Sequence, residues 1–238
     1  MIESNAMNKY DGLELLSKMP VESVDCVFFD PQYRGILDKM AYGNEKTGKQ
    51  KKRAELPQMD VPTIKKFVKE YGRILKKSKY FFLWVDKYEL CSGNIKAWVR
   101  GTSLKIVDMV VWKKSRMGLG YRTRRTSEYV VILQKSPKTT KNWTDKSIKD
   151  VCEEKLPTVA ELKKQGVLQA GETVHPHRKP VQLQKRLLLA VTNEGDTVID
   201  CAAGSYGVLD ICKETNRRCV TCDIEFGATW DIEKNIHK

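Results

Sequence analysis

The stretch Val24-Asp25-Cys26-Val27-Phe28-Phe29-Asp30-Pro31-Gln32-Tyr33 decides the fold. Its first six residues are largely β-branched or aromatic, too few for a helix, and they stop at Asp30-Pro31. They read as a buried strand that delivers a carboxylate, a proline and an aromatic ring to its carboxyl end. Open α/β sheets place their ligands at that end of their strands. The cluster suits a planar ring that bears an amino group. Asp30 and the Pro31 carbonyl can each accept one amine hydrogen, and Tyr33 offers a face for stacking. Drawing both N–H bonds toward acceptors favours an electron-rich nitrogen that can attack a methyl donor. The plainer alternative is a strand ending in a proline turn, with Asp30 as a cap and Tyr33 as packing. For so short a motif taken alone that alternative is the stronger, so the rest of the chain has to decide.

The 238 residues are 41% hydrophobic, and no apolar run approaches the ~20 residues that span a bilayer. They predict one soluble, cytoplasmic domain over residues 7–238 with no membrane partner, the first six residues having the look of an expression scar. Lys and Arg number 43 against 30 Asp and Glu, a net +13, which favours a polyanionic partner. The seven cysteines are odd in number and scattered through apolar runs, so they read as reduced core residues. Cys219 and Cys222 have the spacing of a redox or zinc pair but lie in a strand-like run with no second pair. His175 and His177 lack a third ligand, and no metal site is expected.

Beyond the opening strand, residues 34–60 are polar, basic and punctuated by glycine. They read as a functional loop behind the site or as a solvated insertion, with Lys51, Lys52 and Arg53 placed to follow a phosphate backbone. An amphipathic helix is expected over 62–77, a strand over 80–85, a helix over 88–99, and strands over 105–112 and 127–133. Between the last two lies a basic stretch with Arg116, Arg122, Arg124 and Arg125, suited to guanine edges or phosphate, with a solvated basic strand edge as the plainer alternative for any one of them. Residues 113–174 form a small candidate target-recognition segment. A helix over 181–192 with Pro180 in its first turn, a strand over 197–201, a helix over 208–215 and a strand over 219–223 complete the chain. Continuous apolar strands separated by helices predict a mostly parallel central sheet with helices on both faces.

Ala202-Ala203-Gly204-Ser205-Tyr206-Gly207 breaks a strand from a helix, and Asp223 ends the next strand. Small residues let a backbone approach a nucleoside cofactor, and an acid at that tip can take both ribose hydroxyls. An ordinary βαβ turn with an exposed Asp would look the same, so its pairing with the Asp30 cluster carries the weight.

The ordered set resembles the amino-methylating DNA methyltransferases of the β arrangement, in which the catalytic motif precedes the S-adenosylmethionine motif. It runs from Asp11-Gly12 through Asp30-Pro31-Gln32-Tyr33, Trp112-Lys113, the 125–128 segment and the 175–180 run to 198–205 and Asp223. The resemblance implies a Rossmann-like S-adenosylmethionine-dependent fold. It also implies transfer of methyl to an exocyclic amine of a base flipped out of double-stranded DNA, leaving S-adenosylhomocysteine. By position, Asp30, Pro31, Gln32 and Tyr33 would be catalytic. Asp30, Asp200, Ala202, Gly204 and Ser205 would shape the methionine end, Asp223 would hold the ribose, Lys179 and Pro180 would line the pocket, and Asp11 would sit near it. Asp at the head of the tetrapeptide, where cytosine-methylating members tend to have Ser, favours adenine-N6. Cytosine-N4 is the near alternative, and a DNA-binding protein of the same fold with weakened turnover is the competing class. Gln32 stands for the second proline of the usual tetrapeptide, Tyr206 for the second glycine of the usual turn, and His177-Arg178 for Thr-Gln. A homodimer and a restriction endonuclease partner are both left open by the sequence.

Overall fold

The computed structural model describes residues 3–32, 59–118, 122–166 and 178–224. Along the chain run β1 (Met7–Lys9), α1 (Gly12–Lys18), β2 (Val24–Phe29), α2 (Val61–Ile74), β3 (Leu75–Val85), α3 (Lys87–Cys91), α4 (Asn94–Val99) and β4 (Leu104–Gly118). They are followed by β5 (Arg125–Lys135), β6 (Val151–Glu153), α5 (Val159–Lys164), α6 (Val181–Val191), β7 (Thr197–Asp200), α7 (Gly207–Glu214) and β8 (Arg218–Asp223). The strands form one sheet in the order β1-β8-β7-β2-β3-β5-β4-β6. Among the described residues only the β3–β5 and β5–β4 pairings are antiparallel, so the mostly parallel Rossmann-like arrangement is what the chain adopts.

All six residues of β2 are buried because both of its faces are covered. Cys26 and Phe28 point into a core built with α6 and α7 through Leu183, Leu187, Leu209 and Ile211. Val27 and Phe29 point the other way, against Leu16 of α1 and Phe67 and Tyr71 of α2. Phe29 stacks on Phe67 at 4.9 Å between ring centroids. This two-sided burial is why β2 shows no polar alternation. Gly12 opens α1 hard against the end of β7, where an added Cβ would lie 2.8 Å from both the Cys201 carbonyl oxygen and Phe67 Cε1. A glycine is what allows α1 to pack so close.

Several expectations are corrected. The helix expected to run to residue 77 ends at Ile74. The next residue, Leu75, is fully buried and pairs with Val24 of β2, so the chain passes directly into β3, where Lys76 Nζ and Lys79 Nζ lie 2.8 and 3.3 Å from the buried Asp25 carboxylate and Ser78 is left-handed at φ 60°. The helix expected over 88–99 is split by Gly93 at φ 72° into α3 and α4. The strand expected over 105–112 is longer, and the basic stretch after residue 112 belongs to it. It extends β4 to Gly118, paired back onto Arg125 of β5. Residues 3–6, set aside as a scar, take part in the fold: Asn5 exchanges hydrogen bonds with the Cys219 backbone, and the Ala6 carbonyl accepts from Thr221 Oγ1.

The segment after β5 is also woven into the body. Trp143 packs edge-on against Tyr80 at 5.5 Å, and β6 lies parallel to β4. The Glu154 carboxylate accepts from the amides of Gln182 and Leu183 at 3.0 and 2.9 Å, capping α6. Pro180 stands just before α6 rather than within its first turn. Cys219 and Cys222 are fully buried in β8.

Candidate active site

The chain leaves β2 toward β3 on one side and leaves β7 toward β8 on the other, so the two crossovers diverge between β2 and β7. Ligands bind at such a switch point, outside the carboxyl ends of the strands. There a cleft of about 390 Å³, open solvent included, is lined by Phe28 and Phe29 of β2 and Asp30 just past its end, Trp84 from β3, Lys179, Gln184, Asp200 and the 202–205 turn. The strand that ends in a carboxylate and the glycine turn, far apart in the sequence, therefore face one space.

Asp30 is held by Lys179, whose Nζ lies 2.9 Å from Asp30 Oδ2 and 2.8 Å from Glu128 Oε2. Lys114 pairs with the other oxygen of Glu128. The Lys179 ammonium also lies 5.1 Å from the centroid of the Trp84 ring. Burial alone would depress the Lys179 pKa, but the carboxylates of Asp30 and Glu128 hold it above the usual lysine value. Burial likewise works to raise Glu128, and the charges of Lys179 and Lys114 override it, pulling the carboxyl down to about 2. Pro31 is buried, and the Gln32 carbonyl accepts from Met59 N at 2.7 Å.

On the β7 side, Asp200 Oδ1 accepts from Ala202 N at 3.1 Å and Asp223 Oδ2 from Gly204 N at 2.9 Å. The acid expected to grip a ribose is thus built into the glycine turn itself. Burial pushes the Asp200 carboxyl up to about 7, the charges of Asp30 and Asp223 adding to it and the Ala202 amide opposing. Tyr206, at the position of the second glycine, adopts the left-handed conformation itself, φ 56°. Its ring is buried and its hydroxyl donates to the Asn8 carbonyl at 3.3 Å. Gly207 needs no special freedom, since an added Cβ there would meet only ordinary contacts.

Several expected residues lie elsewhere. Asp11 is the exposed N-cap of α1, accepting from Glu14 N at 2.9 Å, and Pro180 is buried; neither lines the cleft. Arg125, expected to face DNA, is paired with Asp86 at 3.4 Å, because that buried N-cap carboxylate of α3 takes its charge inward. Arg116, Arg122 and Arg124 are exposed on or beside the β4–β5 hairpin. Tyr33, Lys51, Lys52 and Arg53 lie outside the described residues. Sequence reasoning assigned no role to Glu128, Lys114 or Trp84, which complete the surroundings of Asp30. Glu128 sits in one of the motif segments, but nothing local marks it as a partner of a residue 51 positions away.

A strand-end carboxylate and a glycine turn sharing one cleft of a β-arranged sheet define a class, and residues 24–229 match the family model for DNA methylase of the N6/N4 type: the chain belongs to that family of DNA methyltransferases. It is 47% identical over 225 residues to the type II methyltransferase M.HhaII of Haemophilus parahaemolyticus, covering 94% of this chain and 92% of that one. Among solved structures it resembles the PvuII DNA methyltransferase, described as cytosine-N4-specific, with a TM-score of 0.67 at 17% identity over 94% of this chain and 83% of that one. It also resembles M1.HpyAVI in complex with S-adenosylmethionine, with a TM-score of 0.62 at 14% identity over 92% of each chain. At those identities the structural likeness speaks for the fold.

Proposed function

We propose that this chain is a single catalytic domain that transfers methyl from S-adenosylmethionine to the N6 amine of adenine in duplex DNA. The observation that carries the proposal is the placement of Asp30 in one cleft with the 202–205 turn and Asp200. The cleft suits the cofactor: small residues line one wall, apolar rings another, and a buried carboxyl faces the space. When bound, S-adenosylmethionine supplies an electrophilic methyl on a sulfonium. Asp200, Gly204 and Ser205 would hold its methionine end, and Asp223 its ribose.

The work of the protein is to make a poor nucleophile attack. An adenine amine donates its lone pair to the ring, and inside a duplex it is stacked and paired, so the base has to be swung into the cleft. Asp30 and the Pro31 carbonyl then accept the two N–H bonds and push electron density back onto nitrogen, and Asp30 stabilises the positive charge that develops there. Tyr33 gives the base a stacking surface. The β4–β5 hairpin, with Arg116, Arg122 and Arg124, serves as the DNA-facing part of the recognition segment. Adenine rests on the identity of Asp30 as the first residue of the tetrapeptide.

Labelled methyl transfer to unmethylated genomic DNA, followed by nucleoside digestion, tests the reading. N6-methyladenine is the expected product. N4-methylcytosine would keep the class and overturn the base, and DNA binding without any product would overturn the enzyme.

Asp200 supplies a second check. With its carboxyl titrating near 7, part of the population is protonated at neutral pH, and a cationic ligand favours the ionised form. Cofactor binding at pH 7 should therefore release protons, and affinity should rise as pH rises through about 7. Calorimetry in two buffers of different ionisation enthalpy reads this directly, and identical heats would place the cofactor's positive charge away from Asp200.

A further inference from the structure

Four charges of alternating sign run in a line from the hairpin into the cleft: Lys114 on β4, Glu128 on β5, Lys179 before α6, and Asp30 at the end of β2. Lys179 is the critical link. Its four-carbon stem has many rotamers, and an ammonium touching one carboxylate at a cleft wall would sample several of them. Here Nζ is pinned from two sides at 2.8 and 2.9 Å, over the Trp84 ring, with only 14% of the side chain exposed. Asp30, 30% exposed, is correspondingly fixed at Oδ2.

We propose that Glu128 is a positioning residue for methyl transfer: it anchors Lys179, and through Lys179 it fixes the orientation of the Asp30 carboxylate toward the incoming amine. The proposal rests on the methyltransferase reading of the cleft. Glu128 itself reaches Asp30 only through the lysine. Lys114 completes the arrangement by balancing the second oxygen of Glu128, so the carboxylate that does the anchoring is itself held. The depressed pKa of Glu128 agrees with this, since a carboxyl drawn down to about 2 is an anion at neutral pH. The consequence is a division of labour in which β5 sets geometry while β2 meets the substrate. A sub-ångström loosening of Asp30 then costs rate without costing cofactor affinity.

The test compares wild type with Glu128→Gln, Glu128→Asp, Lys179→Met and the Glu128→Gln/Lys179→Met double variant. In single-turnover assays normalised to cofactor-binding sites, Glu128→Gln is expected to lose on the order of ten- to a hundredfold in rate, with S-adenosylmethionine affinity unchanged. Glu128→Asp should recover part of the loss, and the double variant should be no slower than Lys179→Met. A Glu128→Gln protein as fast as wild type, or a double variant slowed by the product of the two single effects, overturns the proposal. A second readout needs no turnover. In ¹⁵N-lysine NMR of the free protein, the Lys179 ammonium signal, assigned with Lys179→Met, should be protected from exchange in wild type and lost in Glu128→Gln. An unchanged signal overturns the anchor. If wild type methylates no DNA while this signal still depends on Glu128, the methyltransferase reading fails and the anchor stands.

Discussion

Replacing Asp30 by alanine is expected to lower kcat by on the order of 10²- to 10³-fold while leaving DNA affinity close to wild type. The size follows from what is removed. One of the two acceptors that draw electron density onto the amine nitrogen disappears, together with a carboxylate charge that faces the cleft where positive charge develops. The Pro31 carbonyl remains, so some turnover should survive. The fold should tolerate the change, because Asp30 is 30% exposed and Lys179 keeps its second partner, Glu128, at 2.8 Å. No buried ammonium is left without a carboxylate, which is the condition that usually makes such truncations destabilising. Single-turnover transfer and equilibrium cofactor binding, measured on the same preparation, separate the effects. A fall in kcat with KM preserved marks an interaction made in the transition state, whereas a variant that transfers methyl at the wild-type rate removes Asp30 from the chemistry.

The parts of this site that were legible in the sequence are those encoded within a few residues. The strand before Asp30 announces itself by length and composition, and the turn before α7 by its small residues, so both halves of the cleft and their place at strand ends were readable. What joins them was not. Hydrophobic periodicity reports that a face is buried, but not what lies across from it, and the Asp30–Lys179–Glu128 chain is assembled from β2, β5 and the approach to α6. The length of the hairpin was unreadable for a related reason. Its far end is basic and solvent-facing, so nothing in the local pattern distinguishes a paired strand from a loop, and only the register of Lys113 with Ser127 and Gly118 with Arg125 reveals it.

Tyr206 shows how a departure from a motif can be absorbed. A left-handed non-glycine residue costs roughly 1–2 kcal/mol. Burying a ring of that size returns about 1.5–3 kcal/mol, and the ring here is 4% exposed with its hydroxyl bonded to β1. The turn that a second glycine would have made by freedom is made instead by packing. The sequence could register the missing glycine, but the compensation depends on a pocket between α7, β8 and β1 that no local pattern describes.

DNA affinity should fall by about 10³-fold between roughly 50 and 200 mM salt if about six phosphates are neutralised, since each contact adds close to −0.9 to the slope of log K against log salt. The net charge of +13 makes a strong dependence expected, but charge alone does not say which residues produce it. The structure separates arginines that the sequence grouped together. Arg116 and Arg124 are exposed on the hairpin side of the sheet, whereas Arg125 is turned onto Asp86, a carboxylate that also caps α3 through the Tyr88 and Glu89 amides. Arg116→Ala and Arg124→Ala should each weaken binding and reduce the slope by about one unit. Arg125→Ala should leave the slope alone and lower thermal stability instead, because it strips a buried carboxylate of its cation. Fluorescence-anisotropy titrations of one duplex at four salt concentrations, run beside thermal melts, read both quantities. A flat salt profile would count against DNA as the polyanion. A slope that responds to Arg125 as it does to Arg124 would mean that the Asp86 pair opens when DNA arrives.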